Sequence, residues 1–130
     1  MHKSVDKLIA IQNEIQEKSI QLDYSNYQPS IVAVTKTFPL TEIIPLINYG
    51  HIHFGENKVQ EAIEKWADIK NDFKNIKLHM IGKLQTNKVK YVVPLFDYIH
   101  SLDNLKLAEK IAKEQLKKSK KIKIFIQINI

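Results

Sequence analysis

Lys36 closes the stretch IVAVTKTFP, residues 31 to 39, and an ammonium group ending an almost wholly apolar run needs a physical reason to be there. An unpaired charge in an apolar site is costly. If the run is a buried strand of an α/β barrel, Lys36 stands at the C-terminal strand end, where such barrels carry their sites. A desolvated lysine there loses its proton and attacks an aldehyde to form a Schiff base, with pyridoxal phosphate the common partner. A strand-end lysine that snorkels its head into solvent fits the same residues equally well. Spacing alone leaves both readings open.

The remaining candidates are weaker. His51 and His53 are two apart, hence on one face of a strand, and could seat a metal, but no third ligand stands at a motif spacing. They read as structural histidines, as do His79 and His100. With no cysteine in the chain, thiol nucleophiles, thiolate metal sites and disulfides are closed. Neither G-x-G-x-x-G nor a P-loop occurs, and the IGK at 81 to 83 lacks the earlier glycine. There is no G-x-S-x-G elbow either, which disfavours acyl transfer.

Charge narrows the partners. The 130 residues carry a formal net charge of +6, yet all 20 basic residues are lysine. Specific base contacts most often use arginine's planar fork, so a nucleic-acid module is a lesser reading. The run KKSKKIK, 117 to 123, suits the C-terminal end of a helix, where cations complement the dipole. Charges throughout the N-terminal stretch exclude a signal peptide or span there, and the chain reads as cytoplasmic.

The elements that must position Lys36 follow from periodicity. Residues 4 to 22 set Val5, Leu8, Ile11, Ile15 and Leu22 near one helical stripe, with Ser4 as N-cap. SIVAVTK predicts a strand buried on both faces, and PLTEIIPLINYG a helix that Pro45 confines or kinks and Gly50 stops. HIHFG is strand-like, and the segment after it spaces Val59, Ala62, Ile63, Trp66 and Ile69 as one helical face. KLHMIG, a short helical TNKVKYVVPLF, and YIHSL come next. Asp103 is read as the cap of a helix with Leu105, Ala108, Ile111, Ala112 and Leu116 inward, before the strand IKIFIQINI. Strands alternating with helices imply a parallel α/β sheet in one domain, residues 1–130, either doubly wound or barrel-like.

At these residues a resemblance enters. AVTKT, HFGENKVQEA, LHMIGKLQTNK, IHSLD and IQINI, in this order and spacing, resemble the pyridoxal phosphate homeostasis protein family, which has an alanine-racemase-like barrel. The resemblance implies an incomplete (β/α)8 TIM-type barrel, its first five parallel strands with helices. It also implies a non-enzymatic protein that holds pyridoxal 5′-phosphate as a Schiff base on a strand-end lysine, buffering it or delivering it to apo-enzymes. The lysine of the family's V-[ST]-K-T motif matches Lys36, and the asparagine of its F-G-E-N matches Asn57. His79, Ser101 and Asn129 lie in the matching motifs of later strands as pocket-lining candidates. Alternation also puts Phe125, Gln127 and Asn129 on one face of the last strand.

The resemblance departs from the family in length. Its phosphate-gripping segments lie in later βα units, so the reading here is a truncated barrel whose exposed last strand favours self-association. An alanine-racemase-like enzyme is the alternative, although no second acid/base group can be named for it.

Overall fold

The computed structural model describes residues 1–24 and 26–130. Five strands, β1 (Ala33–Val34), β2 (His53–Glu56), β3 (Lys77–Met80), β4 (Tyr98–Leu102) and β5 (Lys123–Ile126), pair in parallel in the order β1-β2-β3-β4-β5. The helices are α1 (Lys3–Gln21), α2 (Leu40–Tyr49), α3 (Val59–Asp72), α4 (Val89–Leu95) and α5 (Leu105–Lys118), with a 3-10 turn at Thr86–Lys88. By contact, the chain divides into one unit of Met1–Ile31 with Phe38–His51 and another of Val32–Thr37 with Ile52–Ile130.

Strand order separates the two arrangements that periodicity leaves open. A doubly wound sheet reverses direction at a switch point. Steady progress from one strand to its next neighbour, with right-handed crossovers, keeps α3, α4 and α5 on one face, which is the barrel pattern. The fold is therefore α/β, five parallel strands in barrel order.

In the larger unit side chains of β2 and β3 alternate between the two faces, and the β4–β5 pairing shifts register between Ile99 and Leu102. Phe54 and Glu56 share the face that packs on α3, where the Trp66 ring lies 5.0 Å from Phe54. Leu78, Met80 and Ile99 extend that face, and with Ala62, Val89, Val92, Val93, Leu107 and Ile111 they form a core closed to solvent. Two lysines tie helix ends to strands. Lys70 Nζ donates to the Leu95 carbonyl and to Asp97, both at 2.7 Å, while Asp97 also accepts the Leu78 N–H at 2.8 Å. Lys120 Nζ donates to the Pro94 and Phe96 carbonyls at 3.1 and 2.7 Å, satisfying acceptors that the end of α4 leaves open.

The smaller unit pairs α1 with α2, burying Val5, Leu8, Ile43, Leu46 and Ile47. Gly50 ends α2 at φ 108°, a left-handed conformation that suits glycine. Pro45 sits inside α2, which continues through it.

Several local expectations are corrected. The first run is a strand only at Ala33–Val34, and Val34 is about half exposed, because β1 is the sheet's edge and has one neighbour. His2, not Ser4, caps α1, its ring accepting the Ser4 N–H. Ile11 and Leu22 of the proposed stripe are exposed. Asn104, not Asp103, caps α5 by accepting the Leu107 N–H at 2.8 Å. The inward arc of α5 is Leu107, Ile111 and Glu114, with Leu105, Ala112 and Leu116 outside. Glu114 enters the core as a carboxylate held by Lys110 and Lys117 at 3.2 and 3.5 Å.

Trp66 is fully buried and also donates its indole N–H to Glu56 at 2.9 Å. Trp66→Ala should therefore cost about 3–5 kcal/mol, read from denaturant unfolding; a loss below about 1 kcal/mol would show that the site collapses around the gap.

Candidate functional site

Lys36 lies on the turn that leaves β1 with its side chain exposed, so the structure corrects the expectation of a desolvated lysine and agrees with a strand-end lysine that reaches solvent. The backbone on either side of it is fixed. Thr35, buried, continues the ladder by donating its N–H to the Gly55 carbonyl at 3.0 Å, and its hydroxyl donates to Glu56 Oε2 at 2.5 Å. Its carbonyl accepts Lys65 Nζ at 2.7 Å. Thr37 donates its N–H to Glu61 Oε1 at 2.6 Å. That residue has φ 66°, a left-handed conformation costly for a β-branched side chain and stable only when its surroundings enforce it.

The enforcing groups come from the end of β2 and the first two turns of α3. Glu56 is fully buried, and its Oε2 accepts from Thr35, from Trp66 and from Lys65 Nζ at 3.0 Å. Lys65 reaches Glu61 as well, at 3.1 Å with the four-residue spacing that helices favour. The Thr37 N–H, and then Lys65, hold the Glu61 carboxyl below its ordinary value against the opposing effect of burial. Both backbone groups flanking Lys36 are thus tied to one charged network.

Sheet register sets the neighbours. Val34 pairs with Gly55, so the turn carrying Lys36 leaves β1 at the end of the sheet where Asn57 follows β2. Asn57 packs on Gly82. A Cβ on Gly82 would fall 2.6 Å from Asn57 Cβ and 2.8 Å from its Cα, so only glycine admits this approach. In the sequence Gly82 stood out only as a failed P-loop position; its location just after a strand was the available signal.

The face of the sheet opposite α3 carries a chain of imidazoles. His53 Nδ1 lies 2.9 Å from His79 Nε2, and His79 Nδ1 lies 2.8 Å from His100 Nε2, one ring from each of β2, β3 and β4. Tyr98 stacks on His79 at 4.1 Å, and Phe125 lies 4.5 Å from His100. Burial, then the neighbouring His100 and His53, lower the His79 pKa to about 4. Burial also lowers His53 and His100. At each contact one ring supplies an N–H and the other a bare nitrogen, an arrangement that three neutral rings satisfy. The structural reading of these residues gains a partner for each, and the cue was a histidine in three successive strand segments.

The other two candidates belong to later strand segments. Ser101 is buried on the face of Ile99, its hydroxyl without a partner among the described residues. Asn129 follows β5, is exposed, and accepts from Gln127 Nε2 at 3.0 Å. The structure therefore places Lys36 and Asn57 just past the C-terminal ends of β1 and β2, sets His79 among the imidazoles, and places Ser101 in β4 and Asn129 past β5.

Fold and site define a class: a barrel-type α/β chain that presents a lysine on a braced turn after its first strand. Comparison with known proteins then gives the relationship. No protein-family model matches the chain. It is 38% identical over 125 residues to the pyridoxal phosphate homeostasis protein of Pasteurella multocida, covering 95% of this chain and 53% of that one. It is 39% identical over 127 residues to that of Buchnera aphidicola, covering 94% and 55%. The chain thus spans about half the length of the curated relatives it matches. Among solved structures, PipY of Synechococcus elongatus PCC7942 with PLP bound is 36% identical with a TM-score of 0.73, covering 87% of this chain and 54% of that one. The resemblance seen in the motifs holds: over nearly its whole length the chain is similar to pyridoxal phosphate homeostasis proteins.

The imidazole chain makes a pH prediction. The folded chain holds His79 neutral down to about pH 4, whereas the unfolded chain takes up that proton near 6.5. The stability that neutral His79 confers is complete above 6.5 and is lost as pH falls from 6.5 toward 4, by at most about 3 kcal/mol. Unfolding measured across that window should show the fall, and His79→Asn should make it shallower. An identical slope in the variant would assign the loss to other groups.

Proposed function

We propose that this chain binds pyridoxal 5′-phosphate at Lys36 and serves the intracellular homeostasis of that cofactor in the cytoplasm, holding and delivering it to apo-enzymes without catalytic turnover of its own. The observation that carries the reading is the braced turn, which holds the backbone on both sides of Lys36 just past the C-terminal end of β1 in a barrel-ordered parallel sheet. Similarity to proteins named for pyridoxal phosphate homeostasis, and to PipY with PLP bound, supports it. Among the described residues no helix is long and apolar enough to cross a membrane.

The donor set suits such a group. Pyridoxal phosphate supplies an aldehyde, whose carbon condenses with a neutral lysine amine to form a C=N bond with release of one water. Lys36 would provide the amine, from an exposed position on the turn. Asn57, just past the end of β2, offers an NH2 group with two donors and a carbonyl acceptor to orient the bound ring. His79, Ser101 and Asn129 are proposed as weaker contributors to the lining.

We also propose self-association through β5. The strand pairs with β4 on one side, and Phe125, Ile126 and Ile128 are 53%, 74% and 80% exposed beside it, an apolar edge suited to pairing with another copy. Sedimentation should show a concentration-dependent oligomer that Ile126→Lys with Ile128→Lys shifts toward monomer; a monomer at high micromolar concentration would contradict it.

Borohydride reduction in the presence of pyridoxal phosphate tests the cofactor site. The adduct should map to Lys36 and vanish in Lys36→Ala. Asn57→Ala should weaken retention about two- to tenfold, the equivalent of one hydrogen bond. An adduct of equal yield in Lys36→Ala would overturn the assignment.

A further inference from the structure

Lys36 is held in place by residues that do not touch its side chain. The turn is pinned once before it, where the Thr35 carbonyl accepts Lys65 Nζ at 2.7 Å, and once after it, where the Thr37 N–H meets Glu61 at 2.6 Å. The second pin bears more of the burden, because Thr37 adopts φ 66°. Without an enforcing contact, a β-branched residue relaxes to negative φ and the chain direction through the turn changes. Glu61 is fixed in turn by Lys65, whose ammonium is anchored on the buried Glu56.

We propose that Glu61 is a positioning residue for the cofactor lysine: its carboxylate oxygen, by accepting the Thr37 N–H, holds the left-handed turn that aims Lys36 Nζ at the aldehyde. Lys65 positions Glu61 and caps the Thr35 carbonyl, so the two act as one clamp. This rests on the reading of Lys36 as the cofactor lysine.

The test compares four forms of the 130-residue chain, with two readouts on each: the yield of borohydride-fixed pyridoxal phosphate at Lys36 under limiting cofactor, mapped by peptide mass, and the amide exchange rate of Thr37. Glu61→Ala should lower the Lys36 adduct about fivefold or more and speed Thr37 exchange about tenfold or more, since that amide loses its acceptor. Adding Thr37→Gly to Glu61→Ala should restore the adduct to within about twofold of the parent, because glycine takes positive φ without a clamp, while exchange stays fast. A merely structural role for Glu61 in α3 predicts no such rescue. Glu61→Gln, which keeps the acceptor oxygen, should label to within about twofold of the parent and provides the test if the alanine variant does not fold.

Two results overturn the proposal: a Lys36 adduct undiminished in Glu61→Ala despite faster Thr37 exchange, or a double variant as poorly labelled as Glu61→Ala while melting cooperatively. A fall in Glu61→Gln as large as in the alanine variant also counts against it. If the parent chain carries its adduct at another lysine, the Lys36 reading fails, and this inference with it; an adduct at Lys36 that ignores Glu61 refutes the inference alone.

Discussion

The ion pair between Glu56 and Lys65 organises the region around the site. Glu56 has no exposure to solvent, and three donors converge on one of its oxygens while the other has no partner among the described residues. A carboxylate so buried is tolerated only while its cation and hydrogen bonds are in place, and removing one member of such a pair typically costs about 3–5 kcal/mol. The same Lys65 ammonium bonds the Thr35 carbonyl and Glu61. One buried charge therefore joins β2 and α3 to the turn leaving β1, which is why a two-residue edge strand can carry a defined turn.

The two faces of the sheet divide the work. The face toward α3 combines apolar packing with this charged network, and the opposite face carries the neutral imidazole chain of His53, His79 and His100. Gly82 joins the levels by admitting Asn57 where any side chain would displace it. Order at the C-terminal strand ends thus comes from contacts made one shell away from the proposed amine and amide. Such an arrangement leaves Lys36 accessible and its backbone fixed, both of which covalent capture of an aldehyde needs.

Much of this was legible in the sequence, and the failures have physical causes. Five strands and five helices follow from hydrophobic period, and a lysine closing an apolar run marked Lys36. The partial exposure of β1 is not legible in its sequence, because an apolar run does not reveal whether its strand lies at an edge. In α5 two adjacent residues, Asp103 and Asn104, can each cap, and apolar residues lie around enough of the helix that spacing alone does not show it packing through Leu107 and Ile111 with Leu105 and Leu116 exposed. A buried Glu114 could not be read from hydrophobic pattern, since its place depends on Lys110 and Lys117. The clamp was half visible: alternation from Phe54 turns Glu56 inward, and Glu61 to Lys65 has helical ion-pair spacing. The link from Glu61 to Thr37 spans 24 residues and needed the fold.

The central claim, that the buried Glu56–Lys65 pair acts as one unit, is tested most directly by a double-mutant cycle on unfolding free energy with Glu56→Gln, Lys65→Met and both together. Each single change strands a buried partner, so the double variant should be more stable than the sum of the single losses predicts, by about 2 kcal/mol or more. Losses that add to within about 0.5 kcal/mol would show the two residues to be independent and would contradict the account.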